Sequence, residues 1–472
     1  MKAILITLWA KIKASYWFVP LLMAIGAITL SFLTTALDYR LGTSWINNTN
    51  WLYGNEPEGA RAVLSTVAGS MITVAGVTFS MTILSISHTT SQVGPRLLNN
   101  FMSDKANQFT LGVFISTFLY CLMVLRTVRS AESPPPGLSV AEAEQLELLG
   151  AFVPHVAMIV GVGMAIASVG VLIFFIHHVP ETIHVSNIVA RVGRRLNSQI
   201  DRQFPARVGE PTDADCEVDA PVVLPPWFDE SAEKVVSEGT GYLEYIDGDG
   251  LLDLASRHDL VLHVQVSPGD FVTSKTVLLL ASPKERLSEE AAEDISAMFV
   301  YGAQRTATQD LRFQVNQLVE VAMRALSPGV NDPFTAISCM DWLQSALETL
   351  ADRELPSPHR YDDDQKLRLI AEPTSFRAFA SLIFDQLRPY VAADRNASLQ
   401  MMEVIGNLAV EVRSAEDRRL LARHACALRR ECRRAINDTR TLTSVSRRYR
   451  DVLRLLTDAD QRIRARQTGR WN

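Results

Sequence analysis

The sequence predicts an α-helical membrane domain of four transmembrane helices, followed by a cytoplasmic α+β region. Two observations predict this division. After the first sixteen residues, the leading third of the 472-residue chain consists mostly of long apolar runs, whereas the rest has the mixed composition of a globular protein. Within that rest, short β-like runs precede a long stretch of helical periodicity. The formal net charge of −6 averages these unlike parts, so it indicates little about partners.

Four apolar segments approach the roughly 20 residues needed to cross a bilayer. They lie at about 17–37, 63–86, 109–125 and 153–179, and they define a predicted transmembrane domain at 1–180. Lysines precede the first segment, as in a signal peptide. Its apolar run is long for a signal peptide, so we expect an uncleaved anchor.

Basic residues predict the orientation of the four spans. Lysines precede the first span, arginines cluster in 181–203 after the fourth, and the loop 126–152 is richer in acidic residues. Because short cytoplasmic loops carry an excess of Lys and Arg, both termini are expected in the cytoplasm. The segment 181–203 continues the helical pattern and is expected to form a cytoplasmic extension.

The second span carries a stripe of small and hydroxyl-bearing residues. Hydroxyls recur every seven residues and glycines fall between them, so these residues share one helix face. Such a face either packs closely on another helix or, in an oligomer, lines a hydrated path. The candidate pore-lining residues are Thr66, Gly69, Ser70, Thr73, Gly76, Ser80 and Ser87.

A predicted linker at 204–233 leads to a small β domain at 234–288. Its β-like runs lie at 241–246, 260–266 and 276–281, and turn sequences separate them.

These runs resemble the barrel-sandwich hybrid fold of lipoyl and biotinyl domains. The resemblance rests on Pro268–Val272 and on the following run Thr276–Leu280. The modified lysine of a carrier domain lies in a hairpin between acidic and small residues, and Lys275 does not match that pattern. We therefore expect a structural adaptor that helps subunits to associate.

The pattern from 289 to 472 predicts an all-α helical domain. Its candidate helices lie near 289–302, 306–326, 334–352, 375–390, 395–413, 416–437 and 440–466. The sharpest boundary is Ser327–Phe334, where Asp332 and Pro333 fit the N-cap and the first residue of a new helix. One interpretation is a rigid corner between two helices. The other is a site for an ion or polar ligand at Asn331 and Asp332.

A histidine cluster at the end of the fourth span is a candidate metal or pH-sensing site. His177, Glu181 and His184 share a helix face, and imidazole with carboxylate can bind a divalent ion. Pro180 interrupts the turn between them, so an interfacial polar cluster is the favoured alternative. No other cofactor is predicted, and the five cysteines form no CxxC pair.

The residues from Ala415 onward include sixteen arginines and no lysine, against seven acidic residues. Aromatic residues that could stack on nucleobases are scarce, with only Tyr449 and Trp471 in this region. Contact with anionic lipid headgroups or with a neighbouring subunit is therefore favoured over nucleic acid. A simply solvated helix is the alternative.

Four sequence runs resemble a family of bacterial predicted inner-membrane proteins of unknown function. They are Thr73–Ser80, Gln92–Arg96, Gly269–Val272 and Ala325–Pro333. The resemblance implies a multi-pass protein of the bacterial inner membrane. It implies no reaction, ligand or catalytic residue.

Two functions from different classes fit the sequence. The first is a homo-oligomeric ion channel whose pore is lined by the second span, since the predicted spans lack the charged residues that proton-coupled carriers need. Arg61 and His88 flank the stripe and hint at anions. The second is a non-conducting, membrane-tethered scaffold or sensor whose stripe is a helix seam. An enzyme is not predicted, because P-loop, GxSxG, HExxH and GxGxxG signatures are absent.

Overall fold

The structure is a computed structural model that describes residues 15–41, 57–94, 104–129, 152–204, 224, 228–469 and 471. It divides into two compact units. The apolar unit extends to His184, and the carboxyl-terminal unit contains all described residues from Val185 onward. Most of the predicted linker at 204–233 lies outside the described residues.

The apolar unit contains four helices: α1 (Phe18–Leu41), α2 (Pro57–Val93), α3 (Lys105–Leu125) and α4 (His155–Ile183). Each is long and apolar enough to cross a membrane, which confirms the four predicted spans. Pro180 lies inside α4, which continues to Ile183, so the predicted interruption is wrong. Membrane helices tolerate proline where neighbouring groups satisfy the freed backbone carbonyl.

The central helix of the apolar unit is α3. Of its apolar window 56% is buried, against 17–33% in the other three helices. It packs on both α1 and α4. α2 joins the bundle through one narrow face of small and apolar residues, comprising Ala60, Leu64, Ala68, Met71 and Ala75.

The carboxyl-terminal unit combines two sheets with eleven described helices of four or more residues. Its strands are β1 (Glu233–Val236), β2 (Gly241–Ile246), β3 (Val261–Val264), β4 (Phe271–Val272), β5 (Val277–Ser282), β6 (Phe299–Gly302), β7 (His359–Tyr361) and β8 (Leu367–Ile370). Its helices are α5 (Val185–Gln203), α6 (Phe228–Ser231), α7 (Gly248–Arg257), α8 (Glu289–Ser296), α9 (Leu311–Ala325), α10 (Pro333–Ala351), α11 (Phe376–Val391), α12 (Arg395–Glu411), α13 (Ala415–Ala435), α14 (Thr439–Thr457) and α15 (Ala459–Thr468).

The strands form a five-stranded sheet with the order β1-β5-β3-β8-β7 and a three-stranded sheet with the order β4-β2-β6. β8 pairs in parallel with β3, with Leu262 opposite Leu369, so a distant part of the chain completes the larger sheet. Apolar residues of both sheets, α7 and α8 share one core. The predicted barrel-sandwich arrangement is not confirmed, because three of the eight strands lie beyond the segment 234–288.

Two boundaries in this region differ from the prediction. The Asp247 carboxylate accepts a hydrogen bond from the Gly250 amide (3.1 Å), so the expected turn begins α7 instead. The helix expected at 289–302 ends at Ser296, because its last residues form β6 and pair with β2. Strand pairing has overridden a weak local helical pattern at this point.

The remaining helices follow the predicted order, except that one predicted helix is divided into two. The helix expected at 440–466 is two helices, because Asp458 ends α14 and its side chain accepts amide hydrogen bonds at the start of α15. The segments that form β7 and β8 were not predicted as strands.

The α5 helix packs closely along α10. Gly193 lies directly against the indole ring of Trp342, and the Asn197 amide donates a hydrogen bond to Ser345 Oγ (2.8 Å). Residues 185–203 of the predicted extension are therefore part of the carboxyl-terminal unit, whereas residues 181–184 belong to the end of α4.

His424 belongs to α13, and its side chain is buried against α11. Its side chain is 8% exposed, its Nδ1 atom lies 3.7 Å from Asp385 Oδ1, and its ring packs near Phe384. Burial lowers the pKa of His424 from its ordinary 6.5; Asp385 opposes this effect, while Arg388 and Arg423 add to it. The neutral imidazole is therefore the form that this site favours.

We expect Gly193→Ala to destabilise the carboxyl-terminal unit by about 1–3 kcal/mol, because the added methyl group overlaps the Trp342 ring. The matched control is Gly248→Ala, where an added Cβ meets no atom within 4 Å. Alanine has the higher helix propensity, so the control should be neutral or stabilising. Thermal unfolding of the two variants measures the difference, and equal midpoints would contradict close packing at Gly193.

We expect the stability of the wild-type protein to fall as pH decreases through about 6.5, in part because unfolding lets His424 bind a proton. The folded pKa is depressed, so the contribution is complete above the unfolded pKa and is lost below it. His424→Gln should make the dependence of the unfolding midpoint on pH shallower between neutral and mildly acidic pH. An unchanged slope would show that protonation of His424 is not coupled to unfolding.

Candidate functional site

The predicted stripe lies on the exposed side of α2. The positions 66, 69, 70, 73, 76, 80 and 87 are all exposed, whereas the opposite face of the helix is buried against the bundle. The stripe is therefore not a seam between the described helices of the same chain.

Four of the five hydroxyl groups of this stripe, those at positions 66, 70, 73 and 80, donate hydrogen bonds back to their own helix. Thr66 donates to the Ala62 carbonyl (2.7 Å), Thr73 to the Gly69 carbonyl (2.8 Å) and Ser80 to the Gly76 carbonyl (2.9 Å). Since these bonds use the hydroxyl hydrogens, the outward surface presents oxygen lone pairs. Such a surface suits cations better than anions.

The two glycines of the stripe leave shallow depressions on α2. A Cβ atom added at Gly69 or Gly76 would meet no atom of another described segment within 4 Å. The depression at Gly76 is bordered by Thr73, Val77 and Ser80. It is open, and within the described chain only α2 lines it.

Arg61 does not support the anion preference suggested by the sequence. Its guanidinium donates to the Val128 carbonyl (3.0 Å), which ties the start of α2 to the chain just beyond α3. The group is therefore held in a structural contact.

No sequence pattern predicts the polar contacts that join α1, α3 and α4. The Asp38 carboxylate is 7% exposed and accepts hydrogen bonds from the backbone amides of Val156 (2.8 Å) and Ala157 (3.0 Å). The N-cap of α4 is Pro154, whose side chain makes no capping hydrogen bond. Asp38 therefore caps α4 from another helix.

Tyr120 joins the same three helices. Its fully buried hydroxyl forms a hydrogen bond with Thr34 Oγ1 (2.9 Å) and donates to the Ala157 carbonyl (3.0 Å). Further along α3, the hydroxyls of Thr117 and Ser168 form a hydrogen bond (3.0 Å). Asp38 lies one residue beyond the predicted first span, and no local sequence signal connects it with α4.

The structure brings together only part of the predicted histidine cluster. His177 Nε2 lies 3.5 Å from Glu181 Oε1, and both side chains are mostly exposed. His184 is the extended C-cap residue of α4. His178 faces Asp104 instead, with Nε2 and Oδ2 3.4 Å apart. Among the described residues, no three His, Cys, Asp or Glu side chains converge as metal ligands, so metal binding by His177, Glu181 and His184 stays a prediction.

The predicted corner at Ser327–Phe334 has the expected capping geometry. Asp332 caps α10 by accepting hydrogen bonds from the Thr335 amide (3.1 Å) and hydroxyl (2.6 Å), and Pro333 is the first helical residue. Asn331 adopts a left-handed conformation with φ of 49°. These bonds occupy the Asp332 carboxylate, and a ligand at Asn331 and Asp332 stays a prediction.

These features define a class: a multi-pass membrane protein with four spanning helices and a large carboxyl-terminal unit. A model of the family described as predicted membrane protein (DUF2254) matches residues 13–407, and the chain belongs to this family.

The curated relatives of the chain carry no functional description. An uncharacterized protein of Mycobacterium bovis and one of Mycobacterium tuberculosis are each 30% identical to it over 367 residues. The matched region covers 76% of this chain and 66% of each relative, so the chain spans a little under two thirds of their length. No solved structure matches the chain.

We expect Asp38→Ala to destabilise the apolar unit by about 1–2 kcal/mol, because two amides at the start of α4 lose their acceptor. Asp38→Asn is the matched variant. The asparagine keeps one acceptor oxygen, so the stability of this variant should lie between those of wild type and Asp38→Ala. Unfolding of each purified protein by titration with a denaturing detergent ranks the three proteins by stability. Identical transitions for wild type and Asp38→Ala would contradict a stabilising cap.

Proposed function

We propose that the chain forms a homo-oligomeric ion channel in a bacterial inner membrane, with the exposed face of α2 around the central axis. The observation that carries the proposal is the exposure of a hydroxyl and glycine stripe on a membrane-spanning helix whose opposite face is already buried. If copies of the chain meet through α2, neighbouring subunits would shield the stripe from lipid. The centre of the stripe would then face a path across the membrane.

The chemistry of the stripe supports conduction of cations. The oxygens of Thr66, Thr73 and Ser80 can replace part of the hydration of a cation, since their hydrogens are bound within the helix. Arg61 lies on a different face of α2 from the stripe and donates to the Val128 carbonyl, so its charge is not part of the stripe.

The alternative is a non-conducting scaffold or sensor in which the same face is a seam between subunits. The open depressions at Gly69 and Gly76 favour it, because close helix packing in membranes uses such positions. Both proposals require association of copies. They differ in whether the faces of α2 meet water or each other.

Both proposals place the termini and the carboxyl-terminal unit in the cytoplasm. The excess of basic residues before α1 and in α5 supports this orientation. Membrane lipids and, for the channel, an inorganic ion are then the expected partners.

We expect Thr73→Leu/Ser80→Leu to abolish cation flux through the reconstituted protein, because leucine removes the oxygens and fills the path. The matched control is Thr29→Leu on α1, where an exposed hydroxyl also donates to its own helix, to the Ile25 carbonyl (2.9 Å). This control should retain flux. Ion flux into liposomes and single-channel recording provide the measurement.

An oligomer that is well folded but passes no ion would contradict the channel and favour the scaffold. Unchanged flux in Thr73→Leu/Ser80→Leu would place the path elsewhere. A monomer in mild detergent and in lipid, shown by mass measurement, would contradict both proposals.

A further inference from the structure

The outward face of α13 carries an uncompensated row of arginines. At 100° per residue these positions fall within an arc of roughly 100°, and they extend for about 22 Å along the helix. All are exposed, and within the described part of the chain none forms an ion pair with a carboxylate. The members of this arginine row are Arg419, Arg423, Arg430, Arg433 and Arg434.

The acidic residues of α13 pair with another helix. Glu416 and Asp417 contact Arg377 of α11 at 2.5 and 3.6 Å. Glu431 contacts Arg388 of α11 at 2.7 Å. The positive charge of the row is therefore not neutralised by its own helix.

The buried face of α13 fixes the direction of the arginine row. Leu421, Ala425 and Leu428 are fully buried on the opposite side. Turning the row inward would expose these apolar residues, so the arginines are held as an outward surface.

The aromatic residues of this region are engaged elsewhere. Tyr449 is 8% exposed and lies beneath Arg429, with the guanidinium carbon 4.6 Å from the ring centre. Trp471 packs on Gly406 and donates to Asn407 Oδ1 (2.6 Å). The arginine row therefore lacks the stacking platforms that single-stranded nucleic acid uses.

We propose that the arginine row of α13 binds the anionic phospholipid headgroups of the bilayer that anchors the chain. Guanidinium groups form paired hydrogen bonds with phosphate oxygens, which suits arginine without lysine. The four spanning helices keep α13 tethered to that bilayer, so even weak contacts operate at high effective concentration. The proposal is independent of ion conduction and applies equally to a channel and to a scaffold.

Cys426 provides a native reporter on the same face. It is exposed, whereas Cys121, Cys339 and Cys432 are buried. Cys216 lies outside the described residues and is replaced by serine in all variants. A fluorophore on Cys426 of the full-length protein in nanodiscs then reports contact through quenching by a nitroxide on a lipid headgroup.

We expect strong quenching in nanodiscs of phosphatidylglycerol and phosphatidylcholine, and weak quenching in phosphatidylcholine alone. Added salt should reduce the quenching, because it screens the attraction between the arginines and the anionic headgroups. Arg423→Gln/Arg430→Gln should weaken the contact about fivefold per arginine, which corresponds to about 1 kcal/mol for each basic residue near an anionic surface. The matched control is Arg440→Gln/Arg447→Gln, which removes the same charge from exposed positions on α14 and should retain quenching.

Three results would overturn the proposal. The first is quenching that does not depend on phosphatidylglycerol. The second is an equal loss of quenching in both double variants, which would indicate a general charge effect. The third is binding of an RNA oligonucleotide to the arginine row in neutral nanodiscs without any binding of lipid, which would assign the surface to nucleic acid.

Discussion

The cap that Asp38 provides for α4 is the contact on which the apolar unit depends. The cap is buried, so amides at the start of α4 need an acceptor from the protein, and Pro154 supplies no capping side chain. The carboxylate from α1 accepts both amides, and the Tyr120 hydroxyl bonds to α1 and α4 beside it. These directional bonds fix α1, α3 and α4 relative to one another.

The stripe on α2 is exposed as a result of this arrangement. α3 packs between α1 and α4, and α2 contacts this bundle through a face of alanines and larger apolar residues. Its second face, with hydroxyls and glycines, has no partner within the described chain. A second protein helix can pack closely at the glycines, because small residues let two helix backbones approach each other. The same geometry therefore supports both the channel and the subunit seam.

The carboxyl-terminal unit depends on contacts between distant segments. β8 enters the larger sheet between β3 and β7, although it follows α10 in the chain. α5 packs on α10 through Gly193 and Trp342. On the outside, α13 pairs its acidic residues with α11 and leaves its arginines uncompensated. The interior contacts thus decide which charges face outward.

The four spans, the position of the stripe, the cap at Asp332 and most helices of the carboxyl-terminal unit can be predicted from the amino-acid sequence. Each depends on local periodicity, composition or capping, which neighbouring residues encode. The folded structure was needed to see that the stripe is exposed, that Asp38 caps α4, and that 299–302 and 367–370 are strands. These properties depend on partners far along the chain. Asp38 is 118 residues from Val156, and no local pattern records such a pairing.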